Sequence, residues 1–389
     1  MKKILIASTA LVAAGLLSSG SAQAAEKIKL ELGGFSKWWV VGAWQDDSFE
    51  ASTATGGSGT GYANVDVKGD NEIFFAGETT LDNGMKVGIN IELEAGGGTE
   101  TSQGGDVIDK SYVFMETQFG KFIVGTEANG AVLLHVMAPD AAGVWGADSL
   151  LNSGNSIVQP ANVSVMKTTE IDTDDNADKI TYVAPTFYGL TLGASYIPHA
   201  GGAASKGEDN LAQPASMGVY GVGAGYANTF GPVGLKLSSG FVWGDANAAG
   251  VAGDLQEWSA GGQLAYAGFT LGGSFRQRTL DDKSGQGMAA LGTNIDGHVW
   301  DAGLLYDAGI WQVSFSYMNS VNSDSTADTN DDQMTTYQVS GKYSLSPGVD
   351  LVASGGWVEF DDESQKASTG GDSNHNEGWV VATGLSLTF

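Results

Sequence analysis

The chain has no cysteine among its 389 residues, so disulfide staples, thiol catalysis and cysteine-ligated metals are excluded. It is also poor in positive charge: 18 Lys and Arg stand against 45 Asp and Glu, a formal net charge of −27. The arginines are Arg276 and Arg278. Nucleic acid is therefore not expected as a partner, because binding of phosphates needs clustered positive charge.

Long apolar runs are absent after the first residues. The chain starts with Met1-Lys2-Lys3, continues with apolar residues 4–17, and then has a small, polar stretch that ends at Ala24. This order predicts a cleaved secretory signal peptide at 1–24, too short to cross about 30 Å of hydrocarbon as a helix. Residues 25–389 are predicted to form one domain. Without an apolar helix, a location in a membrane requires a closed β-barrel, which satisfies every backbone polar group in lipid.

What the chain does contain is a repeated pattern of alternating segments, joined in pairs by short turns and separated by longer polar inserts. The turn Asp82-Asn83-Gly84 is the clearest, because Asn-Gly favours turns that match the twist of paired strands. The predicted strands are 27–44, 71–81, 85–95, 110–118, 121–126, 179–184, 190–197, 217–229, 233–243, 255–266, 269–279, 297–306, 310–319, 333–345, 349–360 and 377–389. The predicted fold class is all-β: a transmembrane antiparallel β-barrel of about sixteen strands, with short periplasmic turns and long external loops.

The alternation assigns the two faces of each strand. In the last strand, Trp379, Val381, Leu385, Leu387 and Phe389 share one face, and mainly small residues share the other. About sixteen strands enclose enough space for water, so the polar face is predicted inside and the apolar face towards lipid.

One insert, residues 127–178, is much longer than the others and begins with the apolar stretch from Ala131 to Met137. A loop of this length within a compact fold is usually functional or disordered. Because an apolar loop is unstable in water, we expect it to fold inward against the inner wall and to narrow the lumen. Packing outside the barrel at a subunit contact is the alternative.

Three segments carry a family resemblance: AGETTLDNGMKV at 76–87, QFGKFIVG at 118–125 and KITYVAP at 179–185. With the terminal Phe389, the signal peptide and the long insert, they make the whole mature chain resemble the Gram-negative general diffusion porins. The resemblance implies an outer-membrane homotrimer of sixteen-stranded barrels whose third external loop folds into the pore. Outer-membrane lipid and lipopolysaccharide are the surroundings that it implies.

The chain departs from this family where arginine is frequent, since it has Thr126 and Thr181 there. The Pro-Glu-Phe-Gly-Gly motif of the constriction loop is also absent, and residues 137–140, Met-Ala-Pro-Asp, are the nearest match. The arginine ladder that is usual in the family is therefore depleted.

Strand parity nevertheless predicts a constriction. It directs Lys37, Arg276 and Arg278 into the lumen, where we expect them to face Asp140 or Asp148. Opposed charges across a narrow pore orient polar solutes, and charges that line a pore set its selectivity. Simple solubility of the lumen explains single charges equally well.

Acidic oxygens alternate at Asp172, Asp174, Asn176 and Asp178, as they do in Ca²⁺ loops. The Gly at the sixth position and the Glu at the twelfth position of such loops are missing. A structural Ca²⁺ is one interpretation, and a solvated external loop is the favoured one. We expect no other cofactor.

Catalysis has little support, because the four histidines lack a zinc-binding spacing and there is no Gly-x-Ser-x-Gly motif. The sequence thus predicts a porin rather than an enzyme: passive diffusion of small hydrophilic solutes and ions, with weak cation selectivity from its acidic loops. Alternatives are a substrate-specific channel that guides sugars along Trp39 or Phe74, a non-channel adhesin or structural barrel, and an outer-membrane hydrolase that uses an external acidic pair.

Overall fold

A computed structural model describes residues 27–50, 63–95, 108–143, 156–171, 173–174, 177–200, 217–248, 251–282, 295–324, 331–362 and 374–389. The predicted signal peptide and Asp148 lie outside these ranges. The strands are β1 Glu31–Gln45, β2 Val65–Thr80, β3 Lys86–Glu94, β4 Ile108–Thr117, β5 Gly120–Thr126, β6 Asp178–Val183, β7 Leu190–Ala200, β8 Met217–Phe230, β9 Val233–Ala248, β10 Val251–Tyr266, β11 Phe269–Asp282, β12 Ile295–Asp307, β13 Trp311–Asp324, β14 Asp331–Ser346, β15 Val349–Asp362 and β16 His375–Thr388. Two short helices, α1 Asp47–Glu50 and α2 Gly130–Leu133, complete the described elements.

The strands form one closed antiparallel barrel in which each strand pairs with its neighbours in sequence, and β1 pairs with β16. The closing pair runs from Phe35 opposite Thr388 to Gln45 opposite Gly378. Closure leaves no sheet edge with unpaired backbone groups. The predicted fold class and its sixteen strands are confirmed.

Several strands are longer than predicted. β9 continues to Ala248 and β10 begins at Val251, whereas a loop is predicted from the sequence between residues 243 and 255. β2 likewise begins at Val65 instead of residue 71. The extra residues are rich in Gly, Ala, Asp and Asn, which have low strand propensity. They are extended because the backbone ladder of the neighbouring strand continues beside them, as in the pair of Val251 and Ala248.

The two faces of the wall follow the predicted alternation. The apolar row of β16 lies on the outer surface, where Trp379 is 63% exposed and Phe389 is 62% exposed. On the inner face of the neighbouring β15, Val358 and Phe360 are fully buried. The hydrophobic core of this protein therefore lies inside the barrel, and something within the lumen must cover it. Within the described ranges, no helix is long and apolar enough to cross a membrane.

The height of the wall varies around the barrel. β9, β10 and β14 each have 16 residues, whereas β5 has 7 and β6 has 6. The connection between the two short strands is the long insert, residues 127–177. The low wall thus leaves room for this insert to enter the lumen.

Candidate functional site

The long insert folds inward as predicted, and its described residues make two passes along the inner wall. The first pass begins at α2, where the Asn129 side chain accepts hydrogen bonds from the amides of Ala131 and Val132. This cap satisfies backbone donors at the start of the helix. The amide of Gly130 donates to the Ser195 hydroxyl on β7 at 2.8 Å, which fixes the helix to the wall.

From β7 the first pass runs around the wall as far as β13. Backbone amides of the loop donate to inward side chains of three strands of this wall. The bonds are Val136 N to Ser238 Oγ on β9 (3.0 Å), Ala138 N to Asp301 Oδ1 on β12 (3.1 Å) and Ala141 N to Ser314 Oγ on β13 (2.9 Å). Gln263 of β10 donates to the carbonyl of Met137 at 2.8 Å. These wall side chains take the place of water for the loop backbone, which would otherwise be buried without partners.

Inward glycines make the space for this pass. A Cβ atom at Gly223 on β8 would overlap the carbonyl oxygen of Gly130, and one at Gly261 on β10 would overlap that of Val136. The close approach of the loop backbone to the inner wall therefore explains part of the high glycine content of the chain.

The second pass, residues 156–171, returns from the seam between β1 and β16. The amide of Val158 donates to Gln45 Oε1 on β1 at 2.9 Å, and Asn376 Nδ2 on β16 donates to the Val158 carbonyl at 2.7 Å. The amide of Ser164 then donates to Asp332 on β14, and the amide of Met166 donates to Asn322 on β13.

The second pass also buries an apolar cluster inside the barrel. Its loop members are Ile157, Val163, Val165 and Met166, and its wall members are Trp39, Val41, Ala43, Val299, Met318, Met334, Val352, Val358, Phe360, Val380 and Ala382. A smaller cluster around α2 joins Ile171 to inward residues of β7 to β10. Burial of apolar area on this scale stabilises the inward position of the loop.

Between these two clusters lies a buried ionic group, here called the guanidinium cluster: Glu257, Arg276, Arg278 and Thr173. Arg276 Nη2 lies 2.6 Å from Glu257 Oε2, and Arg278 Nε lies 3.3 Å from Glu257 Oε1. All three charged side chains are at most 5% exposed. Thr173 of the loop donates to Glu257 and accepts from both guanidinium groups. Arg276 also donates to the Glu170 carbonyl, so the cluster holds the loop.

His135 joins the two passes of the loop. Its Nε2 lies 3.2 Å from Thr169 Oγ1, which in turn donates to Asp301 Oδ2 at 3.1 Å. Burial, and secondarily the positive charge of Arg276, lower the pKa of His135 to about 4. The imidazole is therefore neutral near neutral pH.

The wall formed by β1 to β5 differs from the wall that carries the loop. Lys37 of β1 lies 2.8 Å from Asp70 of β2, with both side chains partly exposed, and Lys110 of β4 lies 3.1 Å from Glu92 of β3. Aromatic side chains stand among these charges on the same face. Phe35 and Phe74 pack edge to face at 5.9 Å, and the Lys37 ammonium lies 4.0 Å from the Phe35 ring centre.

The predicted constriction residues do not meet in one place. Arg276 and Arg278 lie against Glu257 on the neighbouring strand, and Lys37 lies against Asp70. Asp140 accepts a hydrogen bond from Ser314 Oγ at 2.8 Å. The role of these residues, and of Asp148, as the pore constriction stays a prediction.

Glu257 was not predicted as a site residue, although the pairing of β10 with β11 indicates it. The two-residue turn between β10 and β11 fixes the register of that hairpin and places Glu257 directly opposite Arg278. Thr173 gave no such signal, because its partners belong to distant segments of the chain.

The predicted calcium segment is only partly described, since Asp172 and Asn176 lie outside the described residues. Asp174 is buried, lies 3.3 Å from the Lys179 ammonium, and accepts from Asn129 Nδ2 at 2.5 Å. Asp178 is the first residue of β6. Calcium binding here stays a prediction. To bind the ion, Asp174 would have to give up its ion pair with Lys179.

Comparisons with solved structures place this fold among bacterial outer-membrane channels. The anion-selective porin from Comamonas acidovorans aligns with a TM-score of 0.60 at 17% identity, over 93% of this chain and 100% of that one. The outer membrane channel DcaP of Acinetobacter baumannii aligns with a TM-score of 0.59 at 12% identity, over 94% of this chain and 98% of that one. At these identities the likeness concerns the fold alone.

A Rhodopseudomonas blastica porin variant aligns with a TM-score of 0.54 at 14% identity, over 93% of this chain and 100% of that one. Curated protein sequences give no match. The family described as Gram-negative porin matches residues 7–363, which is most of the chain. Together with the closed barrel and its inward loop, this match establishes that the chain belongs to the Gram-negative porin family.

Proposed function

We propose that this porin is a water-filled outer-membrane channel for passive diffusion of small hydrophilic solutes and ions, with a weak preference for cations. The observation that carries the proposal is the unequal lining of the barrel. The described loop residues are held against β7 to β14 and the β1–β16 seam, whereas the inward ion pairs Lys37–Asp70 and Lys86–Glu78 of β1 to β3 remain partly exposed.

The sign of the selectivity is inferred from the charges on this wall. Inward positions of β2 and β3 carry six carboxylates and two lysines. The carboxylates are Asp66, Asp70, Glu72, Glu78, Glu92 and Glu94, and the lysines are Lys68 and Lys86. An excess of negative charge in a low-dielectric channel raises the local concentration of cations. One of the structural relatives is named as anion-selective, so the shared fold does not fix the sign.

Recordings across a planar lipid bilayer test the proposal directly. We expect stable conductance steps and, in a gradient of KCl, a reversal potential that indicates preference for K⁺. A preference for chloride would contradict the cation selectivity but leave the channel intact. Absence of conductance from correctly folded protein would contradict the channel and favour a structural or adhesive role.

We infer that the working unit is a homotrimer. The small outward residues Ser36 and Thr79 support close contact between walls better than contact with lipid, whereas Gly34 and Gly77 are covered by Phe389 and Lys29 of the same chain. Next to them, outward apolar residues of β3 to β5 line a hollow with Ile28 and Leu30. Conductance steps in groups of three, and a trimer mass in mild detergent, are the expected results.

Cleavage after Ala24 predicts a mature chain that starts at Ala25, which N-terminal sequencing checks.

A substrate-specific channel is the second candidate, and the aromatic pair of Phe35 and Phe74 supports it. Trp39, the other aromatic predicted to guide sugars, is only 2% exposed and belongs to the apolar cluster, so it does not support a path for solutes. Conductance in a series of neutral sugars separates the two candidates. In a general channel the decrease in conductance depends on the size of the sugar. In a specific channel one sugar decreases the conductance in a saturable way.

A further inference from the structure

A group of side chains that carry metal-ligating atoms lies where β15 and β16 approach the loop end of the barrel. Glu359, His375 and Glu377 each offer a ligand atom, and these atoms all lie within 4.8 Å of one another. Glu359 and Glu377 are directly opposite in the strand pairing. Like charges at such a position destabilise a sheet unless a positive charge lies between them.

Strand parity puts this group on the outer face of the barrel. Glu359 follows Trp357 by two residues on β15, and Glu377 precedes Trp379 by two residues on β16. Trp379 is an exposed residue of the lipid-facing row. Since rings of tryptophan mark the membrane interface of such barrels, the group lies one step beyond the ring, towards the external loops.

The imidazole of His375 is oriented by a fourth residue. Its Nδ1 lies 3.1 Å from Asp46 Oδ2, just after β1, and its Nε2 lies 3.6 Å from Glu359 Oε1. When Nδ1–H donates to the Asp46 carboxylate, the Nε2 lone pair points towards Glu359. A carboxylate behind the imidazole is the arrangement that holds metal-binding histidines in the correct tautomer.

We propose that Glu359, His375 and Glu377 bind a divalent transition-metal ion of the Zn²⁺ type, with Asp46 as a positioning residue. Zinc bonds of about 2.1 Å in a tetrahedron place neighbouring ligand atoms about 3.4 Å apart, close to the separation of His375 Nε2 and Glu359 Oε1. An imidazole nitrogen among the ligands favours Zn²⁺ over Ca²⁺ or Mg²⁺, which prefer oxygen. The remaining coordination position faces outward and takes water.

Calorimetric titration of the folded full-length protein with Zn²⁺ in detergent, after treatment with EDTA, tests the site. We expect one Zn²⁺ per chain, with affinity reduced more than tenfold in His375→Gln and in Glu377→Gln. Asp46→Asn should weaken binding by about tenfold, because loss of a positioning partner typically costs 10- to 100-fold in metal affinity. A millimolar excess of Ca²⁺ or Mg²⁺ should not displace the ion.

His298→Gln is the matched control, because His298 is also an outward histidine on a strand, and its ring stacks on Phe275. It should bind Zn²⁺ as the native chain does. The proposal is overturned if the native chain binds no Zn²⁺, or if His375→Gln and Glu377→Gln bind it as tightly as the native chain. Retention of the folded electrophoretic form confirms that each variant has closed its barrel, and Glu359→Gln replaces any variant that fails to fold.

Discussion

Inward and outward residues alternate in the same way on both halves of the wall, but the inward residues of the two halves face different surroundings. On β7 to β14, inward glycines, serines and buried charges contact the loop, and inward apolar residues such as Val299 and Met318 join the buried cluster. On β1 to β5, apart from the part of the buried cluster formed by Trp39, Val41 and Ala43, inward positions include the partly exposed ion pair of Lys37 and Asp70 and an aromatic pair. The inner face of this barrel is therefore a protein core on one side and a solvated surface on the other.

The difference matters because the same type of contact has different energies in the two places. Removing one partner from a buried ion pair costs about 3–5 kcal/mol, since the other charge stays buried and uncompensated. An exposed pair contributes at most about 1 kcal/mol. Substitutions of matched chemistry on the two walls should therefore give unequal results.

The largest effect is expected from Glu257→Gln, which leaves Arg276 and Arg278 buried without their carboxylate. We expect a loss of about 3–5 kcal/mol of unfolding free energy and release of Thr173 and residues 168–171 from the wall. Unfolding in urea and proteolysis of the loop measure these changes. Asp70→Asn is the control, since it removes a carboxylate from the partly exposed pair with Lys37 and should cost below about 1 kcal/mol. Equal losses in the two variants would show that the walls do not differ.

Gly223→Ala tests the fit of the loop against the wall. Its methyl group would overlap the Gly130 carbonyl, and we expect a loss of about 1–3 kcal/mol together with displacement of α2. The control is Gly221→Ala on the same face of β8, where the nearest side-chain carbon, Val242 Cγ2, is 3.4 Å away. If both substitutions leave stability and conductance unchanged, the loop is not held by this contact.

Neutralising the solvated wall should change selectivity and leave stability nearly unchanged. We expect Asp70→Asn to lower the preference for cations by less than about fivefold, because partly exposed charges are worth about 1 kcal/mol at most. Lys37→Gln removes the opposite charge from the same place and should raise the preference. Reversal potentials measure both, and a shift of the same sign in the two variants would contradict the proposed role of this wall.

The smallest effect concerns pH. His135 has a pKa of about 4 in the folded protein, below that of a free histidine near 6.5, so the unfolded chain binds the proton more readily. Stability from this residue is thus present above about pH 6.5 and is lost as the pH falls through about 4. Because the side chain is only partly buried, we expect a loss below about 1 kcal/mol between about pH 7 and pH 5.

His135→Asn should remove that part of the pH dependence. The frequency of channel closures at the two pH values provides a second measurement, since His135 joins the two passes of the loop. An unchanged pH profile in the variant would assign the dependence to other groups.

Much of the barrel is predictable because its signals are local. Alternation assigned the lipid-facing row that ends at Phe389, and a two-residue turn such as Ala267-Gly268 fixes the register of its hairpin. The ends of the strands were not predictable. Residues such as Gly244 and Asp245 have weak strand propensity and are extended only because a neighbouring strand pairs with them.

The docking of the loop was predictable in direction but not in detail. The apolar stretch from Ala131 to Met137 indicated that the insert would leave water. It did not indicate which strands would receive it, because each contact joins residues far apart in sequence, such as Ala138 and Asp301. We also expected Arg276 and Arg278 to face Asp140. That expectation had the same limit, because strand parity gives the direction of a side chain but not the residue that it contacts.

The contact of Val158 with the seam has a consequence for the order of folding. Its two partners, Gln45 and Asn376, are 331 residues apart and hydrogen-bond to each other at 2.8 Å. The place where Val158 docks is created when the first and last strands pair, which is among the most non-local steps in assembly. The second pass of the loop can therefore settle only after the cylinder has closed. In this porin the docking of Val158 therefore depends on the completion of the barrel wall.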